Sequence, residues 1–449
     1  MKSSNVMTEG SIPKHIITFA IPVLLGNLFQ QMYNMADSLI VGNFLGDHAL
    51  AAVTSTGSLS FLLVGFFNGT AMGAGVVISR YFGAKDYEKV KRAVHTDLAF
   101  GLLCGVLMTL AGVILTPQIL KLMNTPAEVF PMAVSYLRVY FCGSLAIIMY
   151  NVCMGILQAV GDSRHPLYYL IISSITNIVL DLIFNGAFRL GVEFAAFATV
   201  ISQLLSAALC MRRLIKAQDV YQVEVRKIRF DPVLLKQIVG MGFPSGLQNS
   251  IISIANVVVQ SNINAFGAMA MAGCGAYSRI EGFGFIPITC FAMALTTFIS
   301  QNLGARKYDR VKKGAVFGVV CSITLAEIIG IIIYFGIPLF LQAFADEAAS
   351  IEYGTIQAHT VTLFYFLLAF SHIAAAIARG AGKSTVPMFV MLGCWCVIRI
   401  TYVTVAVHFI PKIQTVFWAY PLTWSLSSLV FLIYLLKADW IHNFEKRRE

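Results

Sequence analysis

The sequence is short of charge. Of 449 residues, 12% are Asp, Glu, Lys or Arg and 58% are hydrophobic, against about 25% and about 45–50% in ordinary globular domains. So little charge cannot coat a soluble particle of this size, which excludes a soluble enzyme, a secreted domain and a nucleic-acid binder. Paired metal ligands are missing as well. The nine cysteines (104, 142, 153, 210, 274, 290, 321, 394 and 396) form no CxxC pair, and the eight histidines form no HxxH or HxxxH set. Neither a metal site nor a redox motif is expected. Residues 1–13 are polar and lack the apolar core and cleavage site of a signal peptide, so no removable leader is expected. The net charge of +10 fits basic loops gathered on one side of a membrane, and no nucleic-acid partner is expected.

Long apolar runs are plentiful. A helix needs about 20 apolar residues to cross a bilayer. The runs predict twelve helices, near 15–41, 50–80, 93–116, 134–158, 166–187, 194–216, 236–265, 273–300, 314–342, 358–379, 386–409 and 415–437. They are too long for strands and lack the alternation of a lipid-facing barrel. The expected fold class is therefore all-α integral membrane protein. The loop between helices 2 and 3 carries Arg80, Lys85, Lys89, Lys91 and Arg92, and that between 8 and 9 carries Arg306, Lys307, Arg310, Lys312 and Lys313. Of 32 basic residues, 26 fall on one side, three on the other (Lys121, Arg189, Lys412) and three inside spans (Arg138, Arg279, Arg399). The positive-inside rule then places both termini in the cytoplasm of a multi-pass protein of the cell membrane.

The chain repeats itself. ISRYFGAKDYEKVKR, from Ile78, recurs as ISQNLGARKYDRVKK, from Ile299, at an offset of 221 residues; GILQAVGDSRHP, ending at Pro166, and AIARGAGKSTVP, ending at Pro387, share that offset. Six helices per copy give both copies one orientation, so an axis along the membrane normal is expected, with a binding cavity between two lobes. The predicted domains are an N-terminal lobe at 1–215, a basic linker at 216–235 and a C-terminal lobe at 236–449. The repeat also removes a decoy. GAGKST at 380–385 looks like the end of a phosphate-binding loop, but Ile377 stands where that motif needs Gly, and the matching copy reads AVGDSR. With no ATP site, the driving energy is expected from an ion gradient or from the substrate's own.

Ionisable groups inside spans are costly and by default mark function. In helix 1, Gln30, Tyr33, Asn34 and Asp37 are three or four residues apart and share a face; in helix 5, Ser173, Ser174, Asn177 and Asp181 do the same. Each helix thus presents a carboxylate with amide and hydroxyl neighbours. The repeat places Val258 or Val259 opposite Asp37 and Tyr402 opposite Asp181, so ion chemistry is expected in the first lobe. Glu281, Glu327, Arg279 and Arg399 in the second lobe are open to structural pairing or function. Gly65, Gly69 and Gly73 give a small-residue face for close helix packing. Pro22 bends helix 1, as a static kink or as a hinge.

QQMYNMADSLIVGNFLG after Pro22, the FGAKDY and LGARKY loops, QAVGDSRHP and NIVLD in helix 5 resemble the multidrug and toxic compound extrusion (MATE) family over nearly the whole chain. The resemblance implies two six-helix lobes and export of small amphipathic, often cationic compounds against proton or sodium influx, by a lipid-embedded monomer without a cofactor. Asp37, Asn177 and Asp181 match the first-lobe acidic cluster of the DinF-like branch, which implies that they couple the ion, with Gln30, Tyr33, Asn34 and Ser174 as candidate substrate contacts and Pro22 as candidate hinge. Helix 7 reads GLQNSIISIANVVVQ without an acid, and helix 10 has Ser371 and His372 but no Asp, so the second-lobe cation site of the NorM-like branch is not carried over. A lipid-linked oligosaccharide flippase of the same superfamily is the nearest rival, and it calls for a basic cavity. An intramembrane aspartyl protease using Asp37 and Asp181 calls for a Gly-x-Gly-Asp segment, whereas Asp181 follows Val179 and Leu180. A passive channel has no use for two like halves.

Overall fold

A computed structural model of the chain describes residues 6–123, 125–344 and 347–442, with the side chains of 47, 54–64 and 68 and both chain ends outside that description. Twelve helical segments follow in order. They are α1 (Ile12–Leu45), α2 (Asp47–Gly83), α3 (Tyr87–Leu122) and α4, made of Phe130–Cys142 and Ser144–Ala159 bent by 45° at Gly143. Then come α5 (Arg164–Ala187), α6 (Val192–Lys216), α7 (Pro232–Asn264), α8 (Ala268–Gly304) and α9 (Tyr308–Leu341). The last three are α10 (Ala348–Gly380), α11 (Thr385–Phe409) and α12 (Ile413–Lys437). Among the described residues nine are long and apolar enough to cross a membrane, ten counting the bent pair. Each predicted span has its helix, and most helices overrun the apolar run by a polar turn. At α3 the extra turn starts on Asp86, whose carboxylate accepts the Lys89 N–H at 3.3 Å, the usual N-cap bond. The largest overrun is α10, which starts at Ala348 rather than 358 because Ser350 and Gln357 are buried despite their polarity. Leu103, Leu107, Leu110 and Ile114 stay exposed along α3 at helical spacing, the stripe expected of a lipid-facing surface.

The chain divides into two compact units, each with its own core. Unit 1 comprises 1–6 and 21–242, and unit 2 comprises 7–20 and 243–449. These bounds differ from a division at 216–235. The boundaries fall inside α1 and α7, two residues before Pro22 and Pro244. Hydrogen bonds account for the assignment of 7–20 to unit 2. The Met7 N–H donates to Gln301 Oε1 (3.0 Å), Asn302 Nδ2 to the Met7 carbonyl (3.2 Å), Lys307 Nζ to Thr8 (2.9 Å) and Arg310 Nη1 to Gly10 (2.7 Å).

The basic stretch before α7 is held by unit 1 in the same manner. The Glu224 N–H donates to His95 Nε2 (3.0 Å), and His95 Nδ1 meets the Lys91 carbonyl at 2.7 Å. Asp231 pairs with Arg92, and its Oδ1 accepts from Val233 and Leu234 (3.0 and 3.2 Å), capping α7. What reads as a charged linker is therefore a docked strap.

Lys227 and Lys91 both bind the Glu224 carboxylate and hold it down to about 2 from its usual value near 4.5. A carboxyl depressed on docking contributes above its free value and loses that contribution as pH falls. A spin label at exposed Val225 should keep its restricted motion from pH 7 down to about 4.5, and gain mobility as pH falls toward about 2. With Glu224→Gln the label should already show part of that added mobility at pH 7. Mobility independent of pH and of this substitution would show that the pairing does not hold the strap.

Small residues set the closest helix approaches. A Cβ on Gly73 would lie 2.3 Å from the Gly242 backbone, which brings α2 against α7 within unit 1; one on Gly273 would lie 2.0 Å from the Ser350 carbonyl oxygen, between α8 and α10 of unit 2.

Candidate functional site

Within unit 1 the polar faces of α1 and α5 meet. Asp37 is 9% exposed, Asn177 1% and Asp181 0%, so the two carboxyls seen in the sequence both point into protein. They also touch each other: the Asp37 and Asp181 side chains lie within hydrogen-bonding reach. A carboxyl–carboxyl contact becomes a hydrogen bond only when a proton sits between the oxygens. As two anions the pair repels, since like charges at one site disfavour joint ionisation. Apart from this contact, both oxygens of Asp181 and Oδ1 of Asp37 have no hydrogen-bond partner among the described residues.

The surroundings are amide and phenol groups. Tyr33, one turn before Asp37, is buried within electrostatic reach of that carboxyl, beside Gln203 of α6 and Gln30 of α1. Tyr136 of α4 is buried within electrostatic reach of both carboxyls. Asn177 Nδ2 donates to Thr199 Oγ1 at 3.4 Å, while its Oδ1 is unpartnered. Directly after Asp181 the helix widens to a π-turn, Leu182–Ala187, inside which Asn185 is fully buried with both amide atoms unpartnered. Such π-turns are rare and recur at functional sites. The site thus offers buried acceptors in excess of donors, the polarity that suits a proton or a hard cation.

Of the residues singled out in the sequence, Asp37, Asp181, Asn177 and Tyr33 come together here. Gln30 is half-buried beside Tyr33. Asn34 is exposed, with its carbonyl accepting the Ser38 hydroxyl at 3.0 Å. Ser174 is buried, but its hydroxyl turns back to the Leu170 carbonyl (2.8 Å). Pro22 is buried inside α1 beside the unit boundary. Sequence reading missed Tyr136, Gln203 and Asn185. Asn185 extends the Asn177–Asp181 stripe by four more residues and was legible by the same spacing. Gln203 is a polar break in the apolar run VISQLLSAAL. Nothing in the run around Tyr136 singles it out.

Unit 2 buries a different set. The Tyr277 and Tyr365 hydroxyls lie 2.9 Å apart and reach Glu281 Oε1 at 3.2 and 3.3 Å. Arg399, 2% exposed, donates to Thr423 Oγ1 (2.9 and 3.2 Å) and Asn256 Oδ1 (3.3 Å), with its guanidinium over the rings of Tyr420 and Trp395. Glu327 accepts the Phe366 N–H at 3.1 Å, next to the 3₁₀ turn Thr362–Phe364 inside α10, a structural use. Arg138 and Arg279 are exposed. No cluster of three or more His, Cys, Asp or Glu suited to a metal ion occurs among the described residues.

Comparison with known proteins shows the family of the chain. The MatE family model matches twice, at residues 22–183 and 244–405, one match per sequence repeat and within one residue of the offset read from the loops. Among curated proteins, the "Probable multidrug resistance protein YoeA" of Bacillus subtilis is 29% identical over 436 residues, covering 95% of this chain and 94% of its own. "Multidrug export protein MepA" of Staphylococcus saprophyticus is 25% identical and covers 86% of each chain. Among solved structures, MATE in the bent conformation superposes with a TM-score of 0.92 at 24% identity, over 100% of this chain and 99% of that one. A MOP superfamily transporter of Pyrococcus furiosus, described as having a binding pocket of reverse polarity, gives 0.90 at 24% identity over 97% of both chains. These likenesses carry the twelve-helix, two-lobed fold, and the family match covers well over half of the sequence. The chain belongs to the MatE family, whose members are membrane transporters rather than enzymes.

Proposed function

We propose that the chain is a secondary active multidrug exporter, moving small amphipathic, often cationic compounds out of the cell in exchange for protons or sodium. The contact between Asp37 and Asp181 carries the reading. Two buried carboxyls in contact need one positive charge between them, and three candidates can bring it: a proton, a sodium ion or a cationic substrate. Ligands that neutralise the same pair compete, and competition at one site is the minimal device for exchange. Asn177 and Asn185 add amide oxygens with no other partner, which complete an oxygen shell for a bare cation. The names borne by YoeA and MepA, multidrug resistance and multidrug export, support a range of small-molecule substrates. We place the protein in the cell membrane as a monomer; the expected spans put 26 of its 32 basic residues on one side, which supports both ends and the docked strap being cytoplasmic.

The test is efflux of a fluorescent lipophilic cation from proteoliposomes under separately imposed proton and sodium gradients. One gradient should drive export, and Asp181→Asn should reduce that export to the leak rate while protein content stays normal. Export driven by neither gradient, or undiminished in Asp181→Asn, rejects exchange at this pair.

A further inference from the structure

A third carboxylate of unit 1 lies apart from that pair. Asp97, in α3, is 3% exposed and faces a small cavity between α2, α3 and the second half of α4, bordered by Thr70, Ala71, Gly101, Cys104 and Val152. The cavity has room for about one water molecule or one bare monovalent cation. No hydrogen bond or ion pair reaches the Asp97 carboxyl among the described residues. Its titratable neighbours are thiols, Cys104 from α3 and Cys153 from α4. His95, two residues earlier, is occupied by the Glu224 backbone. The Thr70 hydroxyl donates to the Phe66 carbonyl at 3.0 Å, which leaves its oxygen free to accept or to ligate. An ionised carboxyl in so apolar a wall, with no donor and no counter-charge among the described residues, is too costly to persist. Positive charge must therefore occupy the cavity or the carboxyl itself.

We propose that this cavity is a second monovalent-cation site of unit 1, built on Asp97 with Thr70 as neutral ligand and formed by helices other than those that carry Asp37 and Asp181. The cation is a proton or a sodium ion, and both use the same neutralising chemistry.

Infrared difference spectra of the purified full-length protein, with pH and sodium varied separately, distinguish the sources. The wild type should show a carboxyl component that survives in the Asp37→Asn, Asp181→Asn double variant and disappears in Asp97→Asn. A component that follows pH and ignores sodium assigns the proton. A component displaced by sodium at fixed pH assigns sodium. Asp97→Leu fills the same volume without charge. It should lose the same component and unfold at the wild-type temperature or above it, which keeps the test valid if Asp97→Asn folds poorly. Identical difference spectra for wild type and either Asp97 variant, in both titrations, would overturn the site.

Discussion

Replacing Asp37 by Asn should leave a well-folded protein that no longer couples export to an ion gradient. The side chain it removes is in contact with Asp181 and 9% exposed, so the substitution takes away one of two like charges and keeps the shape. Replacing buried charge with a neutral side chain of similar volume is often neutral or stabilising, and the unfolding temperature should not fall. Binding of a cationic substrate to the wild type should weaken as pH falls, because a proton that neutralises the pair removes the attraction. Coupling between two ligands amounts to about 5–150-fold in affinity, and in Asp37→Asn that pH dependence should largely disappear, with only Asp181 left to titrate. Gradient-driven efflux should drop to the leak of empty liposomes. Undiminished efflux by this variant would sink the coupling role of Asp37.

The largest loss of stability is expected from Gly273→Ala and Gly73→Ala. The added methyl would sit 2.0 Å from the Ser350 carbonyl oxygen in the first case and 2.3 Å from the Gly242 backbone in the second. Backbone cannot rotate out of the way as a side chain can, so two helices must move apart along their length. Overpacking a well-filled interior costs about 1–3 kcal/mol and occasionally more, and these contacts belong at the upper end. Gly275→Ala and Gly282→Ala on the same α8 helix have open space around the new Cβ and serve as controls. Thermal unfolding in detergent should fall clearly for the first pair and stay put for the second. Equal shifts in all four variants would mean that helix propensity, not close approach, sets the effect.

The fold was legible in the sequence to an unusual depth, because lipid forces every span to be a self-satisfied helix and leaves apolar length as the dominant signal. Asp37, Asn177 and Asp181 stood out for the related reason that polar groups lined up on one face of an apolar helix are too costly to leave against lipid. Spacing within a helix reports direction and says nothing of the partner helix, which is why Tyr136 and Gln203, on α4 and α6, went unseen. Asn34 shows the converse: it shares the periodicity of Tyr33 and Asp37 yet is exposed, since a helical stripe is broader than the contact it makes. The unit boundaries were hidden by composition. Charge made 216–231 look like a tether, whereas His95, Arg92 and Thr96 dock it onto α3. Asp97 escaped notice because it stands alone, with no polar residue three or four positions on to complete a stripe.

The pinning of Met7 to Gln301 across 294 residues of chain has a consequence for how the molecule is born. Ribosomes add about 5–20 residues per second, so Met7 waits about 15–60 s after its own synthesis before Gln301 exists. Throughout that time Met7–Ala20 has no home, although unit 1 can already assemble from 21 onward. The opening segment is thus locked only once the second half is under way, and it belongs to that half. Trimming or tagging the N-terminus should therefore leave early insertion intact and reveal itself as a late defect, in the maturation of the second half.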